Sequence, residues 1–306
     1  MRAMSMVGFK AQMCVTSPPY FGLRDYGHEG QLGLEQTPEQ YVANMVEVFR
    51  LVRELLHDDG TLWLNIGDSY SNIGKSGGYT GGICAKGVQG EASRGCGNRS
   101  LERSKQLADT GLKPKDLIGI PWMLAFALRA DGWYLRQDII WNKPNPMPES
   151  VRDRCTKAHE YVFLLSKSGK YYFDNEAIKE PAIWAGDARK GKGRLTYDGK
   201  RQGGEGEGRE AFVSILETRN RRSVWSVATR PYKGAHFATF PPALIEPCIL
   251  AGSRPNDVVF DPFMGSGTTA EVAIKHGRQY LGCELNEAYK PLQDERIRNA
   301  SKPTEG

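Results

Sequence analysis

Residues 256–260, N-D-V-V-F, run directly into Asp261-Pro262-Phe263-Met264-Gly265-Ser266-Gly267-Thr268-Thr269-Ala270, and the reading of this stretch decides the fold. An apolar strand that breaks into a G-x-G-x-x-A turn and resumes as a helix opens a βαβ unit, because the glycines allow both a tight turn and close approach of backbone to a ligand. The helix is expected to reach about His276, and a second strand to cover 279–283. That strand ends at Glu284, 23 residues beyond Asp261, near where such units set a carboxylate on ribose hydroxyls. The pattern predicts an α/β protein with a site for a nucleoside-bearing cofactor.

The charge around the turn bears on which cofactor. A pyrophosphate wants bare N–H groups and a positive helix end, whereas Asp261 and Pro262 stand at the strand tip just before the glycines. S-adenosylmethionine carries a sulfonium and an ammonium and no phosphate, so an aspartate there suits it and would repel a diphosphate. S-adenosylmethionine is favoured, and a nicotinamide-dependent dehydrogenase stays as an alternative.

Far upstream, Met13 to Val15 form a strand-like segment that ends in Thr16-Ser17-Pro18-Pro19-Tyr20. Two consecutive prolines fix two φ angles, bias the residue before each away from helix and carry no N–H, so the chain forms a stiff shelf. Its carbonyls and the Ser17 hydroxyl are acceptors, and Tyr20 adds an aromatic face. Such a shelf suits a flat ring with an exocyclic amino group, whose lone pair becomes more available when two acceptors grip its hydrogens. Stacking of a base on an aromatic ring is worth about 1–3 kcal/mol.

Between these stretches, Thr37-Pro38-Glu39-Gln40 opens a helix with a capping box and proline at its first position. Apolar residues at 41, 42, 45, 48, 49, 52, 55 and 56 keep helical spacing, Gly60 is read as its stop, and 61–66 as a buried strand. Asn65 and Asp68 could both reach the cleft, with capping of the turn the favoured role for Asp68. A second helix is expected from Pro121 to Ala130 and a strand from Trp133 to Trp141, before the stiff run Lys143-Pro144-Asn145-Pro146-Met147-Pro148. Residues 161–166 and 170–173 flank Lys167-Ser168-Gly169 and suggest a hairpin. Residues 223–227 read as a short strand and 244–251 as an apolar helix that buries Cys248.

At 306 residues the chain has ample length for a large core. No apolar run is long enough to cross a bilayer and no signal pattern precedes residue 30, so a cytoplasmic protein is expected. The six cysteines form no C-x-x-C pair, which points to reduced thiols and no metal site. Net charge is +5, but residues 71–115 carry +5 and 179–233 carry +6, leaving −6 on the remainder. Both basic stretches are glycine-rich insertions, and they form an electrostatic footprint for a polyanion.

Taken together, these residues resemble the amino-group DNA methyltransferases of the beta class, in which the catalytic motif precedes the cofactor motif. T-S-P-P-Y at 16–20 is similar to the catalytic motif and D-P-F-M-G-S-G-T-T at 261–269 to the cofactor loop. G-T-L-W-L-N-I-G at 60–67, G-W-Y-L-R-Q-D-I-I-W at 132–141, N-P-M-P at 145–148 and H-F-A-T-F-P at 236–241 resemble the family's other segments. The resemblance implies a doubly wound, mostly parallel seven-stranded sheet of the Rossmann-like methyltransferase type, in permuted order and with inserted recognition segments. It divides the chain into a catalytic half at 1–70 and 113–175, an insertion at 71–112, a target-recognition region at 176–235 and a cofactor half at 236–306.

The resemblance also implies roles. Ser17, Pro18, Pro19 and Tyr20 would be catalytic, Ser17 and the Pro18 carbonyl accepting from the amino group of a flipped base. His236, Thr239, Phe240, Pro241, Asp261, Phe263, Gly265, Ser266, Gly267, Thr268 and Glu284 would bind S-adenosyl-L-methionine. Arg219, Arg221, Arg222 and Lys233 would contact double-stranded DNA. A serine at the head of the motif goes with the cytosine N4 amino group, with adenine N6 as the alternative; a DNA-binding module without turnover is a further one. Direct transfer needs no cysteine nucleophile, in keeping with a core role for Cys248. A cognate restriction endonuclease and a homodimer are partners the resemblance admits.

Overall fold

The computed structural model describes residues 1–23, 27–71, 110–182, 218–229 and 240–302. It contains two units, Met1–Asp174 with Ser223–Gly306, and Asn175–Arg222.

The first unit opens with α1 (Arg2–Met6), β1 (Ala11–Thr16), α2 (Pro38–Leu55) and β2 (Leu56–Ile66), followed by α3 (Ile120–Ala130), β3 (Tyr134–Asn142) and β4 (His159–Ser166). In the second unit β5 (Glu180–Pro181) pairs antiparallel with β6 (Thr218–Arg219). The first unit resumes with β7 (Val224–Ser226), α4 (Pro242–Gly252), β8 (Val258–Asp261), α5 (Thr268–Lys275), β9 (Gln279–Gly282) and α6 (Lys290–Ala300). Its seven described strands form one sheet in the order β7-β3-β4-β2-β1-β8-β9. β4 runs antiparallel to both neighbours, and the other four pairings are parallel. The expected doubly wound, mostly parallel α/β sheet is therefore present.

The chain winds outward from β1 through α2 to β2, and from β8 through α5 to β9 in the opposite direction. Adjacent β1 and β8 thus form a topological switch point, the place where open α/β sheets bind ligands beyond their strands' carboxyl ends. Side chains alternate across the sheet. Cys14, Leu62, Leu64, Phe163 and Leu165 join the core built on Tyr41, Met45, Phe49 and Val52 of α2 and Leu124 and Leu128 of α3. On the other face, Met13 and Trp63 lie so close to Gly252 of α4 that a Cβ there would stand 3.0 Å from each.

The capping box forms as read, with the Thr37 hydroxyl accepting from Gln40 N at 3.2 Å. Two local expectations are corrected. α2 stops at Leu55 and β2 begins at once, so Gly60 lies inside the strand. A Cβ at Gly60 would sit 3.0 Å from Gln12 O and 2.9 Å from His57 O, where the β1–β2 register shifts. Close backbone approach explains that glycine, not helix termination. The hairpin does not form either, because β4 already has β2 on one edge and β3 on the other; Tyr172 N donates instead to Asp59 O at 2.9 Å.

Candidate active site

The proline shelf leaves the carboxyl end of β1. Pro18 is buried, and Ser17, Pro19 and Tyr20 are half-buried. From beneath, the Tyr41 hydroxyl of α2 donates to Pro19 O at 2.9 Å, so a core residue fixes a backbone that prolines already stiffen.

The glycine turn leaves the adjacent strand. Gly265 and Gly267 have φ of 53° and 85°, left-handed values that a side chain would strain. Gly265 N donates to Glu284 Oε2 at 2.7 Å and Asn286 N to Glu284 Oε1 at 2.9 Å, which fixes the carboxylate beside the turn. The Ser266 hydroxyl is buried and has no hydrogen-bond partner among the described residues.

Both stretches line one cavity of about 860 Å³. Ser17, Pro18, Pro19 and Tyr20 border it on one side, and Phe263, Gly265, Ser266, Thr268 and Glu284 on the other, with Phe240 also at its wall. The volume lies within the range of ligand clefts, roughly 300–1,000 Å³. The residues fit the nucleoside-bearing cofactor read from the sequence: an acceptor carboxylate at Glu284, close-approach glycines, and a Ser266 hydroxyl left for a ligand.

Asp261 differs from its expected part. It is 1% exposed and absent from the cavity lining. Its Oδ1 accepts from Thr16 Oγ1 at 2.6 Å and from Phe263 N at 3.0 Å, and its Oδ2 from Thr269 Oγ1 at 2.6 Å. Burial outweighs these bonds and pushes its carboxyl up to about 6. The aspartate therefore ties β1 to the first turn of α5 and does not face a cofactor cation. Because it lies against that turn, the helix end a diphosphate would use already holds a carboxylate. Pro241 is likewise buried, at the start of α4 and outside the lining, and Gly267 shapes the turn without lining the cavity.

The floor carries a polar cluster that joins Tyr20 and Asn65, both expected at the cleft, to Glu160 and Lys143, which motif reading missed. The Tyr20 hydroxyl donates to Glu160 Oε2 at 2.7 Å and lies 3.3 Å from Asn65 Oδ1. Lys143 pairs with Glu160 Oε1 and stands 4.3 Å from the centre of the Trp141 ring. Asn65 Nδ2 donates to Tyr161 O at 3.1 Å and reaches Glu160 Oε2 at 3.4 Å. Burial, then the Glu160 carboxylate, pushes the Tyr20 phenol well above its usual value, so it remains a neutral donor. The signal for Glu160 was a lone acid at the head of the apolar strand Y-V-F-L-L.

Of the remaining expected residues, His236, Thr239 and Lys233 lie outside the described residues, as does most of the insertion at 71–112. In the second unit, Arg219 and Arg222 each bond Glu180 Oε1 at 2.8 Å, and Arg221 lies in the loop between them. Cys248 is buried in α4. Asp68 accepts from Gly119 N and Ile120 N at 3.0 and 3.2 Å and so caps α3. No helix among the described residues is long and apolar enough to cross a membrane.

Comparison with known proteins agrees with this geometry. Type II methyltransferase M.SmaI of Serratia marcescens is 50% identical over 92% of this chain and 82% of its own length. Type II methyltransferase M.XycI of Xanthomonas campestris pv. cyanopsidis is 48% identical over 92% and 80%. Among solved structures, the PvuII DNA methyltransferase (cytosine-N4-specific) superposes with a TM-score of 0.58 at 18% identity, covering 95% of this chain and 82% of that one. The putative DNA modification methylase TTHA0409 of Thermus thermophilus, complexed with S-adenosyl-L-methionine, gives 0.56 at 23% identity, covering 99% and 92%. The family model described as DNA methylase matches residues 11–295, and the chain belongs to that family.

Proposed function

We propose that this DNA methylase transfers the methyl group of S-adenosylmethionine to the N4 amino group of a cytosine flipped out of duplex DNA. One observation carries the reading: the serine-headed shelf at 17–20 and the glycine turn with Glu284 border the same cavity, at the switch point of the sheet. An extruded base stacked on Tyr20 would present its amino group to Ser17 Oγ and the Pro18 carbonyl, with the cofactor's nucleoside on the Glu284 side. The bound cofactor supplies the methyl group; the chain holds base and donor in line and excludes water. Ser17 at the head of the motif favours cytosine over adenine.

Recognition of the DNA sequence is assigned to 176–235, with Arg219 and Arg222 as phosphate or base-edge contacts. The 179–233 stretch has a net charge of +6, and Glu180 holds both guanidinium groups in one place. A cognate endonuclease belongs to the same proposal. The test is methyl incorporation from labelled cofactor into varied duplex DNA, followed by nucleoside analysis. N4-methylcytosine is expected. N6-methyladenine would overturn the choice of base, and no methylated nucleoside would overturn the function.

A further inference from the structure

Methyl transfer to an amino group leaves one proton to dispose of. As the bond from the amino nitrogen to the methyl carbon forms, the carbon–sulfur bond breaks and its electron pair stays on sulfur. The nitrogen must then shed a hydrogen, and the shelf alone offers no base: Ser17 is a neutral hydroxyl and Pro18 a carbonyl.

The structure supplies one at the end of a hydrogen-bonded line. Ser17 Oγ donates toward the Tyr20 hydroxyl at 3.5 Å, and that hydroxyl donates to Glu160 Oε2 at 2.7 Å. Both donors point the same way, from the cavity toward a carboxylate on β4. Glu160 is only 17% exposed through its side chain, yet Lys143, itself 18% exposed, pairs with its other oxygen. The ammonium offsets the cost of covering that carboxylate and leaves Oε2 as an acceptor for the phenol. Glu160 also lines the cavity, so a proton taken up there can leave once product departs. The Tyr20 ring is braced on one side: a Cβ at Gly67 would stand 2.7 Å from its Cε2, so the ring lies hard against the end of β2.

We propose that Glu160 is the proton acceptor of the reaction, reached from the base amino group through Ser17 and Tyr20. The amino proton passes to Ser17 Oγ as the N–C bond forms, Ser17's own proton passes to the Tyr20 hydroxyl, and Tyr20's own proton passes to Glu160 Oε2. Both hydroxyls end neutral, the carboxylate ends protonated, and the product amine is neutral. Tyr20 then has two tasks, a stacking face and a relay hydroxyl. The inference rests on the function proposed above.

The test is single-turnover methyl transfer by the full chain on a duplex that the unmodified protein methylates, comparing Tyr20→Phe, Glu160→Gln and the double variant. Tyr20→Phe keeps the ring and alters no charge. Each single variant is expected to lose about 100-fold in rate, at the lower end of what acid–base groups contribute. The double variant should be no slower than either single one, because one line is broken in two places. Affinity for S-adenosylmethionine and for DNA should stay within about twofold, which a general disturbance of the site would not leave untouched. A wild-type rate in Tyr20→Phe, or losses that multiply in the double variant, overturns the relay. Should Glu160→Gln fail to fold, Tyr20→Phe alone decides. Absence of amino methylation by the unmodified protein would overturn the function itself, a result separate from any ratio between variants.

Discussion

Thr16 Oγ1 donates to Asp261 Oδ1 at 2.6 Å, joining residues 245 positions apart in the chain. The bond stitches the last residue of β1 to the last of β8, so the strand ends that launch the two motifs are held together beneath the cavity. Its acceptor is a buried carboxylate whose three donors do not fully offset the loss of water, which makes stability depend on pH.

Asp261 titrates near 6 in the fold against an ordinary 3.8. Between those values Asp261 holds more of its proton in the native state than in the unfolded chain, so its contribution to stability is greatest below pH 4 and falls as pH rises through 6. The loss is on the order of 3 kcal/mol. In Asp261→Asn, denaturant unfolding between pH 4 and 7 should lack this fall. An identical pH profile for both proteins would show that Asp261 is not the group responsible.

Gly67→Ala should separate folding from chemistry. The new Cβ would stand 2.7 Å from Tyr20 Cε2 and 3.2 Å from Glu160 Cδ, so the cavity ring or its partner must move. Overpacking of this kind costs about 1–3 kcal/mol. The rate of methyl transfer should drop at least about tenfold, since small misplacements of positioning groups are expensive, while cofactor affinity is retained. Unchanged turnover in a folded variant would mean Tyr20 need not hold its place.

How far the sequence carried this structure depended on the range of the interaction. Thr37 and Gln40, or Gly265 and Gly267, signal through neighbours a few residues away, and those elements stand where they were read. The end of α2 was misplaced because Gly60 reads as a stop, while its real constraint is Gln12 O on another strand. The same limit hid Glu160: its tie to Tyr20 spans 140 positions, and nothing local marks it beyond an acid heading an apolar strand. Asp261 was read as facing the cofactor because the hydroxyls that draw it inward, on Thr16 and Thr269, become its neighbours only when the sheet forms.

Asp68→Ala tests a purely structural long-range contact. Its carboxylate accepts from Ser69 N at 2.9 Å and from the first N–H groups of α3, 51 and 52 positions away. Loss of such a cap costs about 0.5–2 kcal/mol. A lower melting temperature is expected with the single-turnover rate preserved, because Asp68 does not border the cavity. A parallel loss of rate at full occupancy would instead tie α3 to the chemistry.

Glu284 offers the sharpest test of the cofactor side. Its two oxygens are oriented by Gly265 N and Asn286 N, and each keeps a second lone pair for a ribose hydroxyl. In Glu284→Gln the amide NH₂ must face one of those N–H groups, so the side chain turns away or the turn loosens. Hydrogen bonds to a charged acceptor are worth about 1.5–3 kcal/mol, so calorimetry should show S-adenosylmethionine bound about 10- to 100-fold more weakly. DNA affinity without cofactor should not change, because the residue lies on the glycine-turn side of the cavity. Full cofactor affinity in this variant would place the nucleoside elsewhere and detach the glycine turn from the function proposed for it.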